Sequence, residues 1–147
     1  MRIAFANDHR GAEVREQLIE HLKKLGHEVI DFGTHSYASV DYPDFAAKAA
    51  RAVTAKQADR AVLVCATGIG MSIAANKIAG IRCALCTDEY SAKMARTHND
   101  ANALALRSTH QNPLTNLAII DMFLSTDFEG GRHQVRLNKI RNLEHHF

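Results

Sequence analysis

The stretch Arg60-Ala61-Val62-Leu63-Val64, followed by Cys65-Ala66-Thr67-Gly68-Ile69-Gly70-Met71-Ser72, decides the fold. The first five residues form a short apolar run, which suits a strand buried on both faces. Glycines 68 and 70 mark a turn, and Ser72-Ile73-Ala74-Ala75-Asn76-Lys77 reads as the helix that follows. A strand therefore delivers Cys65 into a glycine-bearing turn at a helix start. Several backbone N–H groups and the positive helix end then surround the thiol, a setting that binds anions and favours thiolate. A base beside an oxyanion-stabilising nest is an enzyme's arrangement. The bland alternative is a core cysteine at a tight turn.

Working outward, five apolar, β-rich runs recur: Arg2–Ala6, His27–Phe32, Arg60–Ala66, Gly80–Cys86 and Asn102–Leu106. Helical patterns separate them. Glu13–Leu25 places Val14, Leu18, Leu22 and Leu25 on one stripe, and Gly26 stops it. Phe45–Ala55 follows Pro43, Asp88 caps a helix through Arg96, and Leu114–Leu124 follows Pro113. Glu129–Leu143, opened by Gly130-Gly131, reads as a last helix rich in Arg and His. Alternating strands and helices predict a parallel sheet covered on both faces, with ligands at the carboxyl ends of the strands. Asn7-Asp8-His9, Cys65–Gly70 and Thr87-Asp88 fall there, whereas His98-Asn99-Asp100 precedes the fifth strand and enters from a helix end.

The chain of 147 residues suffices for one domain spanning 1–147, and 46% apolar with 23% charged residues is ordinary for a globular protein. No apolar run is long enough to span a membrane, and the N-terminus already reads as a strand, so a cytoplasmic protein is expected. A formal charge of +2 does not point to nucleic acid. Three cysteines argue against a disulfide framework. Cys83-Ala84-Leu85-Cys86 spells C-x-x-C, but on a strand its two thiols face opposite ways, so core cysteines are expected rather than a metal or redox pair.

Other readings of the Cys65 loop fail on spacing. Gly68-x-Gly70 lacks the third glycine of a dinucleotide fingerprint, where Ile73 stands, and no G-K pair completes a phosphate-binding Walker loop. A cysteine phosphatase needs C-x5-R, and here the sixth residue after Cys65 is Met71. Proton abstraction with enolate stabilisation remains. Asp8-His9 suits substrate or phosphate, with helix capping as the alternative. His98 suits acid–base chemistry, or is a surface histidine. Arg132 and Arg136 share a helical face beside His133 and suit a phosphate dianion, or form a solvated basic face.

In their order along the chain, these stretches resemble the ribose-5-phosphate isomerase B family, within the wider B-type ribose and galactose-6-phosphate isomerase superfamily. The resemblance rests on Asp8-His9 with Gly11, Asp31-Phe32-Gly33-Thr34, Asp41-Tyr42-Pro43, Cys65–Ser72 with Ala74-Ala75-Asn76-Lys77, Gly80-Ile81-Arg82, His98-Asn99-Asp100-Ala101-Asn102 and Glu129-Gly130-Gly131-Arg132-His133. It implies an α/β, Rossmann-like three-layer sandwich: a five-stranded parallel sheet flanked by helices, plus a C-terminal helix. It implies aldose–ketose interconversion of a sugar phosphate through a cis-enediolate, without metal or organic cofactor. It implies a homodimer, sometimes paired into tetramers, with the active site at the subunit interface. Cys65 would be the base. The N–H groups of Ala66, Gly68, Ile69 and Gly70 would cradle the enediolate oxygen. His98, with Thr67, would open the furanose ring. Asp8 and His9 would contact sugar or phosphate, Asn99 a hydroxyl, and Arg132 and Arg136 the phosphate.

Three departures bear on substrate choice. Ala66 stands where the family usually has glycine, and if that position needs a positive φ the alanine is strained. Arg107-Ser108-Thr109 replaces Gly-x-Arg, and Arg10 replaces a small or apolar residue. Ribose 5-phosphate is the expected substrate, with allose 6-phosphate, galactose 6-phosphate or a tetrose phosphate as alternatives. A non-catalytic sugar-phosphate-binding subunit is a separate reading.

Overall fold

The computed structural model describes residues 1–144. The final residues, His145, His146 and Phe147, lie outside the described part of the predicted domain. Five strands form one parallel sheet: β1 (Arg2–Asn7), β2 (Glu28–Asp31), β3 (Arg60–Cys65), β4 (Cys83–Leu85) and β5 (Ala103–Arg107). Their order across the sheet is β2-β1-β3-β5-β4. The helices are α1 (Arg15–Lys24), α2 (Tyr42–Thr54), α3 (Ile69–Asn76), α4 (Glu89–Thr97), α5 (Pro113–Ser125) and α6 (Arg132–Leu143). The expected α/β three-layer sandwich is present, with α6 as the additional C-terminal helix.

The two faces of the sheet carry different side chains. Ile3, Phe5, Val62, Val64, Leu104 and Leu106 pack against α1, α4 and α5. Ala4, Ala6, Ala61, Ala103 and Ala105, joined by Leu63 and Cys65, meet α2 and α3. Alternation along each strand sorts these sets to opposite faces. The alanine face suits α2, whose buried residues Ala46, Ala49, Ala50 and Ala52 lack bulk. Small residues on both sides let helix and sheet approach closely, which keeps this layer close-packed.

The predicted boundaries shift where side chains replace backbone partners. The fourth strand is shorter than Gly80–Cys86. The Asn102 side chain accepts from the Arg82 N–H and donates to the Gly80 carbonyl, satisfying backbone groups a ladder would otherwise use. Asn76 then accepts from Cys83 N–H and donates to the Cys83 carbonyl, so β4 begins there. Asp88 caps α4 through the Ser91 N–H at 2.7 Å, as expected. Pro43 and Pro113 stand in the first turns of α2 and α5, where the missing N–H leaves no helical bond unmade. The last helix starts at Arg132 rather than Glu129, because Gly130 and Gly131 take φ values of 72° and 58°.

Cys83 and Cys86 face opposite sides of the sheet, Cys83 against the α2–α3 layer and Cys86 within the other core. All three cysteines are free. Burial pushes the Cys83 thiol up to about 12, and burial also raises Cys86. Both stay protonated at neutral pH.

Candidate active site

β1 connects through α1 to β2 on one side, while the chain continues through α2 to β3 on the other side of β1. The crevice between β1 and β3 is thus a topological switch point, open at the strands' carboxyl ends. Asn7 pairs with Val64, so Asp8 and Cys65 leave the sheet side by side. The Asp8 N–H reaches the Val64 carbonyl at 3.4 Å.

Cys65 is buried, and its Sγ accepts the Gly68 N–H at 3.2 Å. Gly68 caps α3 with φ 77°, the left-handed conformation that favours glycine. A Cβ there would also collide with Leu85 Cδ1 at 2.6 Å and Leu106 O at 3.0 Å. Gly68 is therefore the turn's obligatory glycine. Ala66 is absent from the positive-φ residues and carries no such strain. Gly70 is needed for another reason: a Cβ would meet the Tyr42 ring at 2.6 Å. Thr67 is exposed, and its Oγ1 accepts the Ile69 N–H at 3.2 Å. The Gly70 and Met71 N–H groups, in the first turn of α3, have no acceptor among the described residues. The thiol thus sits beside unpaired donors at a helix start, a suitable cradle for a developing oxyanion.

Asp8 is buried and performs the capping expected of it in the bland reading. Its Oδ1 accepts the N–H groups of Arg10 and Gly11 at 3.0 and 3.1 Å. His9 is half-buried, and its Nδ1 accepts the Val40 N–H at 3.2 Å. That bond leaves Nε2 to carry the proton of a neutral ring, available to donate to a ligand. Behind them, buried Arg15 ties Asn7 Oδ1 to Asp31, Glu16 and His35. Asn7 Nδ2 bonds the Asp8 and Thr34 carbonyls. This network fixes the loop that presents Asp8 and His9, and nothing in the local sequence announced it.

The replaced segment Arg107-Ser108-Thr109 closes over the Cys65 loop. Ser108 N–H and Thr109 Oγ1 bond the Cys65 and Ala66 carbonyls at 2.9 and 2.7 Å. Ser108 Oγ also donates to the Arg10 carbonyl. The Arg107 Nε donates to the Thr109 carbonyl at 2.8 Å. A cavity of about 250 Å³ lies here, lined by His9, Arg10, Glu13, Tyr37 and Thr109.

The other predicted residues stand elsewhere. His98 caps the carboxyl end of α4, and α4 runs back to the end of the sheet where β5 begins. Register places Cys65 beside Arg107 and Ala61 beside Ala103, so β5 alone separates the two ends by about 13 Å at 3.3 Å per residue. Asn99 is exposed, and its carbonyl accepts from Arg82 Nε at 3.0 Å. Asp100 adopts φ 43° and bonds Arg96 at 2.9 Å; Arg96 also holds the Ala101 carbonyl. These bonds brace the His98-Asn99-Asp100 turn.

Glu129 and α6 join this second cluster. The Glu129 N–H bonds the Thr97 carbonyl, and the His133 ring stacks on His98 with centroids 4.2 Å apart. Burial, then the nearby His98 and Arg132, holds His133 below the ordinary imidazole pKa, so its ring is neutral at pH 7. Arg132 and Arg136 are exposed on α6. A cavity of about 610 Å³ opens at this end beside Asn99, Arg82 and Ile140, without Cys65 or Asp8 in its walls. The chain therefore carries two clusters at opposite ends of the sheet's strands. One holds Cys65, Thr67, Asp8 and His9 with the N–H cradle, and the other holds His98, Asn99, Arg132 and Arg136. His133 and Glu129 belong to the second and received no task from the sequence, because the positive-φ turn at Gly130-Gly131 that brings them together is not a helical register.

Residues 3–140 match the family model described as ribose/galactose isomerase. The chain belongs to that family. Within the family, the chain is similar to ribose-5-phosphate isomerase B of Escherichia coli (strain K12), at 44% identity over 97% of this chain and 96% of that protein. Its fold superposes on the ribose-5-phosphate isomerase B of Clostridium thermocellum with a TM-score of 0.97, at 49% identity, covering 99% and 98% of the two chains. The family also includes the Mycoplasma genitalium ribose-5-phosphate isomerase B, solved with bound ribulose 5-phosphate. It superposes with a TM-score of 0.94 at 40% identity, covering 99% of this chain and 97% of that one. No helix among the described residues is long and apolar enough to cross a membrane.

Proposed function

We propose that the protein interconverts ribose 5-phosphate and ribulose 5-phosphate, with Cys65 as the base and without a metal or organic cofactor. The observation that carries this reading is the Cys65 thiol, held 3.2 Å from the Gly68 N–H at the start of α3. In the open-chain aldose, the Cys65 thiolate removes the C2 proton. The electron pair forms the C1–C2 double bond, and the aldehyde oxygen gains negative charge. N–H groups of the Ala66–Gly70 turn stabilise that charge as a cis-enediolate. A proton passes from O2 to O1, return of the cysteine-held proton to C1 gives the ketose, and no electron is gained or lost overall. Asp8 and His9 hold the sugar.

His98 opens the furanose ring, with Thr67 assisting, Asn99 takes a hydroxyl, and Arg132 and Arg136 take the phosphate. Phosphate binding supplies the remote energy that orients the reacting carbons. His98, Asn99, Arg132 and Arg136 lie at the opposite end of the strands from Cys65 and Thr67, so they act with them on one substrate only when they come from a second copy. Two apolar faces support that association. Ile69 and Ile73 stand exposed on α3 beside the thiol, and Val135, Ile140 and Leu143 stand exposed on α6. A two-fold dimer can bring each α3 edge against the partner's α6 edge and complete two equivalent sites.

The deciding experiment is ribose 5-phosphate isomerisation in EDTA by wild-type protein and Cys65→Ala. Turnover by the wild type, lost in a variant that still binds substrate, is the expected result. Substantial turnover by Cys65→Ala would overturn the base assignment. A second reading, the same chemistry on another aldose phosphate, draws on Arg107, whose Nε is spent on the Thr109 carbonyl while Arg10 lines the cavity. Comparing kcat/KM across four- to six-carbon sugar phosphates separates the two readings.

A further inference from the structure

The cavity of about 250 Å³ at the carboxyl end of β1 is lined by His9, Arg10, Glu13, Tyr37 and Thr109. Arg10 is its one arginine or lysine, and Arg107 stands outside it with its Nε on the Thr109 carbonyl. The main chain of Arg10 is held twice. Its N–H donates to Asp8 Oδ1 at 3.0 Å, and its carbonyl accepts from Ser108 Oγ at 2.8 Å. The Arg10 guanidinium forms no hydrogen bond or ion pair among the described residues, although Glu13 lines the same cavity. Beside it, His9 Nδ1 accepts from the Val40 N–H, so a neutral His9 donates from Nε2.

We propose that Arg10 is the specificity-determining residue of this chain: with His9 it takes the phosphate monoester of the sugar in this cavity. The inference rests on the isomerase reading of the Cys65 site. A guanidinium presents a planar fork that meets two phosphate oxygens at once, and the His9 N–H suits a third. The fork has no ion pair to break when the anion arrives. Glu13 would repel a dianion set against it, so the phosphate lies on the Arg10–His9 side and Glu13 is left to accept from sugar hydroxyls. Arg132 and Arg136 of a second copy would close on the same group from outside, so Arg10 is the part of the grip that belongs to the Cys65-bearing chain.

Ser108 sets the reach of that grip. Its N–H donates to the Cys65 carbonyl at 2.9 Å while its Oγ holds the Arg10 carbonyl. One residue therefore ties the phosphate contact to the loop that carries the base, and the tie fixes how many carbons span the two. Loss of the Arg10 side chain weakens every phosphorylated sugar. Loss of the Ser108 hydroxyl loosens the span, which blunts the choice between chain lengths while the phosphate contact remains.

The test uses the full-length protein with its Arg10→Ala, Arg10→Lys, Ser108→Ala and Ser108→Thr variants. Inorganic phosphate binding is measured by calorimetry, and isomerisation is followed on ribose 5-phosphate, allose 6-phosphate and ribose. Arg10 is exposed, so its replacement leaves the core untouched. Arg10→Ala is expected to weaken phosphate binding and raise KM for ribose 5-phosphate by at least about tenfold, with kcat/KM for ribose little changed. Arg10→Lys is expected to recover part of the loss, since it keeps the charge without the fork. Ser108→Ala is expected to keep phosphate affinity while kcat falls and the preference between the two sugar phosphates narrows, and Ser108→Thr to restore both. Phosphate affinity and KM unchanged in Arg10→Ala would overturn the assignment while leaving the isomerase reading intact. Equal losses on ribose and ribose 5-phosphate would overturn it as well. Arg10-dependent phosphate binding in a protein that turns over no sugar phosphate would keep the phosphate contact and refute the isomerase reading. Unchanged kcat and preference in Ser108→Ala would refute the tie through Ser108.

Discussion

Mixing two inactive variants tests the separation of the two clusters most directly. Cys65→Ala removes the proposed base from one end of the strands, and His98→Asn removes the proposed ring-opening group from the other. Each homo-oligomer should be nearly inactive. In a two-fold dimer, every site draws one cluster from each chain. A mixed dimer therefore contains one site with both lesions and one site with neither. Random association of equal amounts puts about half the dimers in the mixed form, so the mixture regains about one quarter of wild-type activity. Mixed dimers isolated through two affinity tags should show about one half. Pairing of dimers into tetramers leaves these fractions unchanged. The assay is ketose formation from ribose 5-phosphate after co-refolding or co-expression. The about 13 Å of strand between the two ends is the reason to expect complementation. If the clusters served one site within a chain, every site in the mixture would carry a lesion. Activity no higher than that of either variant alone, with mixed dimers demonstrably present, would refute the separation.

Three further outcomes are expected. Gly68→Ala places a Cβ at φ 77° against Leu106 O, so stability should fall by at least about 1–2 kcal/mol and kcat should drop as the cradle shifts; unchanged melting and turnover would contradict this account. Arg132→Ala and Arg136→Ala would each remove a proposed charged phosphate contact worth about 1.5–3 kcal/mol, so KM for ribose 5-phosphate should rise at least about tenfold with smaller loss for ribose; equal losses on both sugars would remove the phosphate role. The folded-state Cys83 thiol is raised from 9.0 to about 12, so its contribution to stability is complete below pH 9 and is lost as pH climbs from 9 towards 12. Cys83→Ala should flatten that alkaline decline in a denaturant titration, and an unchanged slope would refute the burial effect.

The strand–turn–helix around Cys65 was legible because its signals are local: an apolar run, then glycine, then a helical pattern. Pro43, Pro113 and the Asp88 cap were legible for the same reason, since each acts within one helical turn. Sequence left open whether residue 66 required a positive φ; the backbone places the positive φ on Gly68 instead, where Leu85 and Leu106 also leave no room for a Cβ. The shortening of β4 depends on Asn76 and Asn102, whose side chains reach backbone groups distant in the chain. Arg15 read as an ordinary charged helix residue, yet it is buried and anchors the Asp8–His9 loop through Asn7 and Asp31. The asymmetric sheet faces were present as alternating alanines and bulky residues in β1 and β5. Their meaning required knowing which helices cover each side.

The division of the proposed machinery has a physical rationale. The Cys65 cluster supplies a base and neutral backbone dipoles, which stabilise charge as it develops on a sugar oxygen. The His98 cluster supplies full positive charges on exposed α6, suited to a phosphate that keeps its charge throughout the reaction. Placing Arg132 and Arg136 within the buried Cys65 pocket of the same chain would require desolvating both before any substrate arrived. In the proposed dimer, meeting across an interface would let them stay hydrated on the free chain, with the exposed apolar residues of α3 and α6 supplying association energy. Activity then becomes linked to assembly: dilution below the dimer's dissociation constant should lower specific activity without unfolding the chain.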